Sequence, residues 1–128
     1  MSGINKVILV GHLGKDPEFR YLQDNVAVLS FPLATSEFLI KNGIKTEHTD
    51  WHNIVMWRSL AEAGRKMLCK GKLVYIEGKA RTRSFEDKEG VKRYTTEIIP
   101  DTFTILGRNS DFEPNEVSTT STRSKLEP

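Results

Sequence analysis

Ser59-Leu-Ala-Glu-Ala-Gly-Arg-Lys-Met-Leu-Cys-Lys-Gly71 is the one stretch of this chain whose apolar residues recur at helical spacing, and its position decides the fold. Ser59 stands where an N-cap is expected, Glu62 follows three residues later as in a capping box, and Gly71 is placed to end the turn. The predicted helix therefore runs from Ser59 to about Cys69, with Leu60, Ala63, Met67 and Leu68 as its apolar stripe. Everything else that is patterned reads as strand. Upstream, Asn5-Lys-Val-Ile-Leu-Val-Gly-His-Leu13 is an apolar, β-branched run closed by the turn residues Gly14-Lys-Asp-Pro17. Both of its faces are apolar, so it needs cover on both sides, and a second subunit is one such cover.

A second strand is expected from about Val26 to Ser36, entered through Gln23-Asp24-Asn25, with Pro32 pointing to an edge position or a bulge. The stretch from Glu37 to Thr49 reads as a polar loop with Asn42-Gly43 as a tight turn or hairpin tip, and Asp50 to Arg58 is extended again. Downstream of the helix, Lys72 to about Glu86 and Val91 to about Leu106 form two more strands around the short loop Asp87-Lys-Glu-Gly90. Three strands, one helix and two strands is the element order of an OB-fold, so the expected class is all-β: a five-stranded Greek-key barrel with one helix between strands 3 and 4. Residues 1–107 are expected to form this one domain. Residues 108–128, rich in Ser, Thr, Asn, Glu and Pro, are expected to be a disordered tail, because they carry too little apolar surface to offset their ordering entropy.

Composition narrows the chemistry. The 128 residues are 38% hydrophobic and 28% charged, which suits a single compact domain. No run of about 18 apolar residues is present to span a bilayer as a helix, and the first residues lack the apolar core of a signal peptide. The single cysteine, Cys69, cannot form an internal disulfide. His48 and His52 are four residues apart in a strand context with no third ligand near them, so no metal site and no cofactor is implied. Phosphate-binding glycine loops, a Gly-x-Ser-x-Gly elbow and isolated carboxylate pairs do not occur, and the chain is not read as an enzyme.

The net charge of +2 says little, but its distribution says more. From Arg58 to Arg83 eight basic residues face two acidic ones, a local balance of +6. Alternate positions of the fourth strand put Lys79, Arg81, Arg83 and Phe85 on one face, a basic row ending in a ring. On the third strand Trp51 and Trp57 share a face, about 20 Å apart, opposite Ile54 and Met56, which are the natural core residues of that strand. Exposed rings beside cations suit single-stranded nucleic acid. Every base offers a π-face to a ring and every phosphate a charge to a cation, so the expected binding is blind to sequence and excludes the stacked interior of a duplex.

Seven stretches carry a closer likeness: Asn5-Lys-Val-Ile-Leu-Val-Gly11, Gly14-Lys-Asp-Pro17, Leu33-Ala-Thr-Ser-Glu37, Thr49-Asp-Trp-His52, Gly71-Lys-Leu-Val-Tyr-Ile-Glu-Gly78, Arg81-Thr-Arg83 and Tyr94-Thr-Thr-Glu97. In this order, over about residues 3–107, the chain resembles bacterial single-stranded DNA-binding proteins. The resemblance implies a cytoplasmic, nucleoid-associated homotetramer that wraps single-stranded DNA in replication, recombination and repair. It implies a DNA surface of Trp51, Trp57, Phe85, Lys70, Arg81 and Arg83 and a subunit contact at His52; Arg58 and Lys79 are added from the basic run, Phe38 as a ring the Glu37–Thr49 loop can present, and Val7, Leu9 and Tyr75 as further expected subunit contacts.

Two departures from the family pattern stand out. Where the family places a stacking aromatic two residues beyond Glu37, this chain has Leu39, with Phe38 one residue earlier and expected to turn differently. The family's tail commonly closes on an acidic tip ending in Pro-Phe that recruits replication and repair proteins. Residues 108–128 hold four acids and three bases and end Arg123-Ser-Lys-Leu-Glu-Pro128, so either the sequence is shortened or it is a variant without that route, and replication and repair proteins stay among the candidate partners. An alternative of another class follows: an OB-fold interaction module of the primosome that binds single strands weakly. An OB-fold nuclease is a third class, and it would need clustered carboxylates.

Overall fold

The computed structural model describes residues 2–108. Six strands, a 3-10 turn and one helix follow in the order β1 (Val7–Leu13), β2 (Glu18–Tyr21), the turn Gln23–Asn25, β3 (Ala27–Lys41), β4 (Ile44–Trp57), α1 (Arg58–Met67), β5 (Lys72–Glu86) and β6 (Lys92–Arg108). The sheet order is β1-β5-β6-β4-β3-β2, and a further pairing of β1 with β3 closes five of these strands into the barrel expected from the sequence. Of the expected tail, residues 109–128 lie outside the described residues.

Several expected boundaries move, each for a local reason. β1 starts at Val7 rather than Asn5, because the Asn5 side chain takes over the ladder: its Nδ2 donates to the Ala80 carbonyl (2.7 Å) and its Oδ1 accepts from the Ala80 N–H (3.0 Å). β2 was not expected. It pairs with β3 from Glu18↔Ser30 to Tyr21↔Ala27 and turns back through Gln23–Asn25, where the Leu22 N–H donates to the Val26 carbonyl at 2.8 Å. The expected loop over Glu37–Thr49 is instead a regular hairpin turning at Asn42-Gly43, both at positive φ. Polar composition hid it, since its strands project beyond the barrel and have no core to cover.

Pro32 marks neither an edge nor a bulge: it pairs in register with Asn53. It sits at the seam where the other side of β3 changes partner from β2 to β1, and its carbonyl accepts from the Gly14 N–H at 3.0 Å. Its missing N–H faces that same seam, where no ladder needs it. The helix starts at Arg58, with Trp57 at the cap position and no side-chain cap bond. Glu62 closes no capping box with Ser59, because its Oε2 accepts the Tyr21 hydroxyl at 2.9 Å. The buried helix face is Ala61 and Gly64, with Leu68 buried just past the helix end, whereas Met67 of the expected stripe is exposed.

The core gathers Leu29, Phe31, Leu33, Ile54, Met56, Val74 and Ile76 from the inward positions of β3, β4 and β5. Val7 and Leu9, expected at a subunit contact, pack against this core, and the outward apolar positions of β1 are Ile8 and Val10. With apolar residues on both faces, the sequence pattern could not say which parity points inward. Where β1 crosses β3 the backbones nearly touch: a Cβ on Gly11 would lie 2.2 Å from the Ala34 carbonyl oxygen. Gly11→Ala is therefore expected to destabilise the barrel by about 1–3 kcal/mol, measured by denaturant unfolding, since backbone rather than a flexible side chain must give way. Gly3→Ala, in open space, should leave the midpoint unchanged.

Candidate nucleic-acid interface

The β3–β4 ladder runs without a bulge from Val28↔Trp57 to Lys41↔Ile44. Directly paired residues share a face, so Phe31, Leu33, Ile54 and Met56 fall on the core side while Trp57, Trp51, Phe38 and Ile40 fall on the other. Trp51 is 61% exposed, Trp57 39% and Phe38 60%. Phe38 stands opposite Glu47, four residues along β4 from Trp51, so the three rings space out at about 13 and 20 Å along one face. Contrary to the expected turn, Phe38 shares the face of the tryptophans and Leu39 lies on the opposite one. Lys45 Nζ rests 4.2 Å from the centre of the Phe38 ring and supplies a cation beside it.

β5 and β6 carry the second part of the surface. Lys79, Arg81, Arg83 and Phe85 alternate along the outward side of β5, opposite Ile99, Glu97, Thr95 and Arg93, and Phe85 is 45% exposed. The two register shifts in this ladder, between Leu73 and Val74 and between Glu77 and Gly78, both lie before the row begins, so the alternation survives. These cations are not all free. Arg83 donates from Nε (3.2 Å) and Nη2 (3.0 Å) to Oε2 of Glu97, a residue only 8% exposed. Arg93 donates from Nε to Asp87 Oδ2 at 2.9 Å, and this contact, with the backbone N–H groups of Val91 and Glu89, holds the Asp87 carboxyl below the usual carboxylate range. Lys79 and Arg81 make no ion pair among the described residues. Glu97 was missed in the sequence because it lies on another strand, and only the β5–β6 pairing brings it to Arg83.

The other expected residues fall in two places. Lys70 sits beyond the helix, where its backbone N–H donates to Asp16 Oδ1 at 2.8 Å and ties it to the β1–β2 loop rather than to the β5 row. Arg58 occupies the corner after Trp57 with φ +59°, a conformation that costs a non-glycine residue about 1–2 kcal/mol. The residues expected at subunit contacts lie elsewhere. Half-buried His52 places Nε2 2.9 Å from Thr35 Oγ1. Tyr75 donates its hydroxyl to Glu77 Oε1 at 2.8 Å, and Lys6 Nζ meets Glu77 Oε2 at 2.7 Å. The Lys6 ammonium, then the Tyr75 hydroxyl, lower the Glu77 carboxyl from its ordinary value, and Glu77 in turn raises the pKa values of Lys6 and Tyr75.

Comparison with known proteins places this chain in a family. The model of the Single-strand binding protein family matches residues 4–106. Single-stranded DNA-binding proteins from serogroups A and B of Neisseria meningitidis are each 44% identical over 117 residues, covering 88% of this chain and 67% of the relative. Among solved structures, the Plasmodium falciparum SSB complex with ssDNA superposes with a TM-score of 0.77 at 30% identity, over 83% of this chain and 97% of that one. A deletion mutant of the single-stranded DNA binding protein from Thermus aquaticus superposes with a TM-score of 0.72 at 28% identity, over 81% of this chain and 51% of that one. On the family match and the Neisseria identities together, the chain belongs to the single-strand binding protein family.

Proposed function

We propose that this chain binds single-stranded DNA without reading its sequence, covering it during replication, recombination and repair, with residues 1–107 as the binding domain. The observation that carries this reading is the shared outward face of Phe38, Trp51 and Trp57 beside the outward row Lys79, Arg81, Arg83 and Phe85. Rings left in water offer stacking platforms, and the cations along β5 and beside Phe38 neutralise phosphates. Such groups hold a polymer and break no bond in it, so we read the chain as a binding protein that leaves its ligand intact. Its place is with DNA in the cytoplasm. The solved relative in complex with ssDNA supports the same ligand class.

We read the working unit as a homo-oligomer, a tetramer by the family resemblance. Over Val7–Gly11 one edge of β1 pairs with β5 and the other has no strand partner among the described residues. Exposed Ile8 and Val10 stand beside that open edge. A free edge bearing apolar side chains is covered most simply by an identical strand. Val10→Asp is expected to reduce the mass measured by analytical ultracentrifugation without changing the circular dichroism spectrum. An unchanged mass would place the subunit contact elsewhere.

Stacking and charge are separable by titration. Trp51→Ala, Trp57→Ala, Phe85→Ala and Phe38→Ala are each expected to weaken binding to an oligothymidylate by about 1–3 kcal/mol, followed by fluorescence anisotropy, whereas Leu39→Ala on the opposite face should cost little. The log–log dependence of affinity on salt should be steep, with a slope near −0.7 per phosphate neutralised. Arg81→Ala should flatten that slope by about 0.7 at unchanged melting temperature. Arg83→Ala should lower the melting temperature as well, since it leaves Glu97 without its cation. A flat salt response in the parent protein would favour the primosomal interaction module instead.

A further inference from the structure

A shallow cleft of about 360 Å³ lies between the β1–β2 loop and the outward side of the β3–β4 ladder. Its lining includes Lys15, Glu18, Ser30, Pro32, Trp51 and Asn53. Register explains why these meet: Glu18 pairs with Ser30 and Pro32 pairs with Asn53, and Asn53 is two residues from Trp51 on the same face of β4. The loop is held at two points, to the ladder by the Gly14 N–H on the Pro32 carbonyl (3.0 Å) and to the segment after α1 by the Lys70 N–H on Asp16 Oδ1 (2.8 Å). Trp51 stands with the edge of its six-membered ring on Gly14, where a Cβ would come within 2.4 Å of Cζ3. The indole is thus one wall of a pre-formed recess.

Size and chemistry select what fits. The volume is at the small end of the range for ligand sites, enough for one base with its sugar. Lys15, Glu18 and Asn53 take part in no side-chain hydrogen bond or ion pair among the described residues, so their polar groups are available to a ligand. Two acidic side chains, Asp16 and Glu18, line the recess against one lysine, which suits the edge of a base better than a phosphate. An ionised carboxylate only accepts hydrogen bonds, so it favours a base edge bearing an exocyclic amine over one that presents a carbonyl in the same place. The Asn53 amide both donates and accepts and can face either edge.

Resting on the single-strand reading above, we propose that this cleft is a nucleobase subsite in which one unpaired base stacks on Trp51 and presents its exocyclic amine to Glu18, giving the protein a local preference for amino-bearing bases. The β1–β2 loop is then part of the DNA path, and the otherwise sequence-blind surface carries one position that discriminates.

Oligodeoxycytidylate and oligothymidylate of equal length, titrated at one salt concentration, test this through the ratio of their affinities. Glu18→Gln, an exposed and unpartnered position, is expected to shift the ratio about threefold towards the thymidylate, because glutamine can donate to its carbonyl, and the shift should vanish in the Trp51→Ala background. If Glu18→Gln instead tightens both ligands equally, as removal of one negative charge would, the subsite is refuted while a loss of affinity in Trp51→Ala keeps the stacking surface standing. If Trp51→Ala changes neither ligand, the single-strand reading itself fails.

Discussion

The unbroken register of the β3–β4 hairpin is the constraint on which this molecule depends. Fourteen consecutive pairs, from Val28↔Trp57 to Lys41↔Ile44, pass without a bulge from the floor of the barrel to the tip of a projecting arm. Side chains alternate with period two, so a slip of one residue would turn Trp51 and Trp57 into the core and expel Ile54 and Met56. The buried half of the ladder fixes the register, because Leu29, Phe31, Leu33, Ile54 and Met56 all lose contact with water only in this one pairing. The arm inherits that choice. Phe38 faces outward with the tryptophans through a pairing decided some residues away inside the barrel.

A second consequence concerns charge. The basic surface of β5 and β6 is partly neutralised from within, by Glu97 on Arg83 of β5 and by Asp87 on Arg93 of β6. Both pairs fix the direction of a guanidinium; the solvent-accessible Arg93 pair adds little stability, whereas Arg83 compensates a buried carboxylate that would be costly to leave alone. They also divide the cations into those already held and those, such as Lys79 and Arg81, left for a ligand. The electrostatic pull on a polyanion is therefore smaller than a count along the sequence suggests, which leaves a larger share of the binding to the rings.

The barrel and its ligand surface also compete for apolar residues. Phe38, Trp51, Trp57 and Phe85 and the strand residues Ile8 and Val10 stay exposed while small residues serve inside: Gly11 at the crossing of β1 and β3, and Gly64 and Ala61 where α1 lies on Leu29 and Met56. Close backbone approach makes a dense core possible without these four rings, which leaves them on the surface where the proposed stacking needs them.

The sequence by itself determined the strand-rich class, the helix between the third and fourth expected strands, β5 from Lys72 to Glu86, and the outward parity of Trp51, Trp57 and the β5 row, because alternation and turn residues are local signals. It could not determine the arm over Glu37–Thr49, the short strand β2 or the inward side of β1, since polar strands and two-sided apolar ones have no contrast for a period to reveal. Only tertiary structure decided that Phe38 joins the tryptophan face, that Glu97 reaches Arg83, that Glu62 serves Tyr21 instead of a helix cap, and that Gly14 and Glu18 come to Trp51. Each of these joins residues distant in the chain through strand pairing or packing, and pairing is a property of two segments at once, which no single segment's pattern contains.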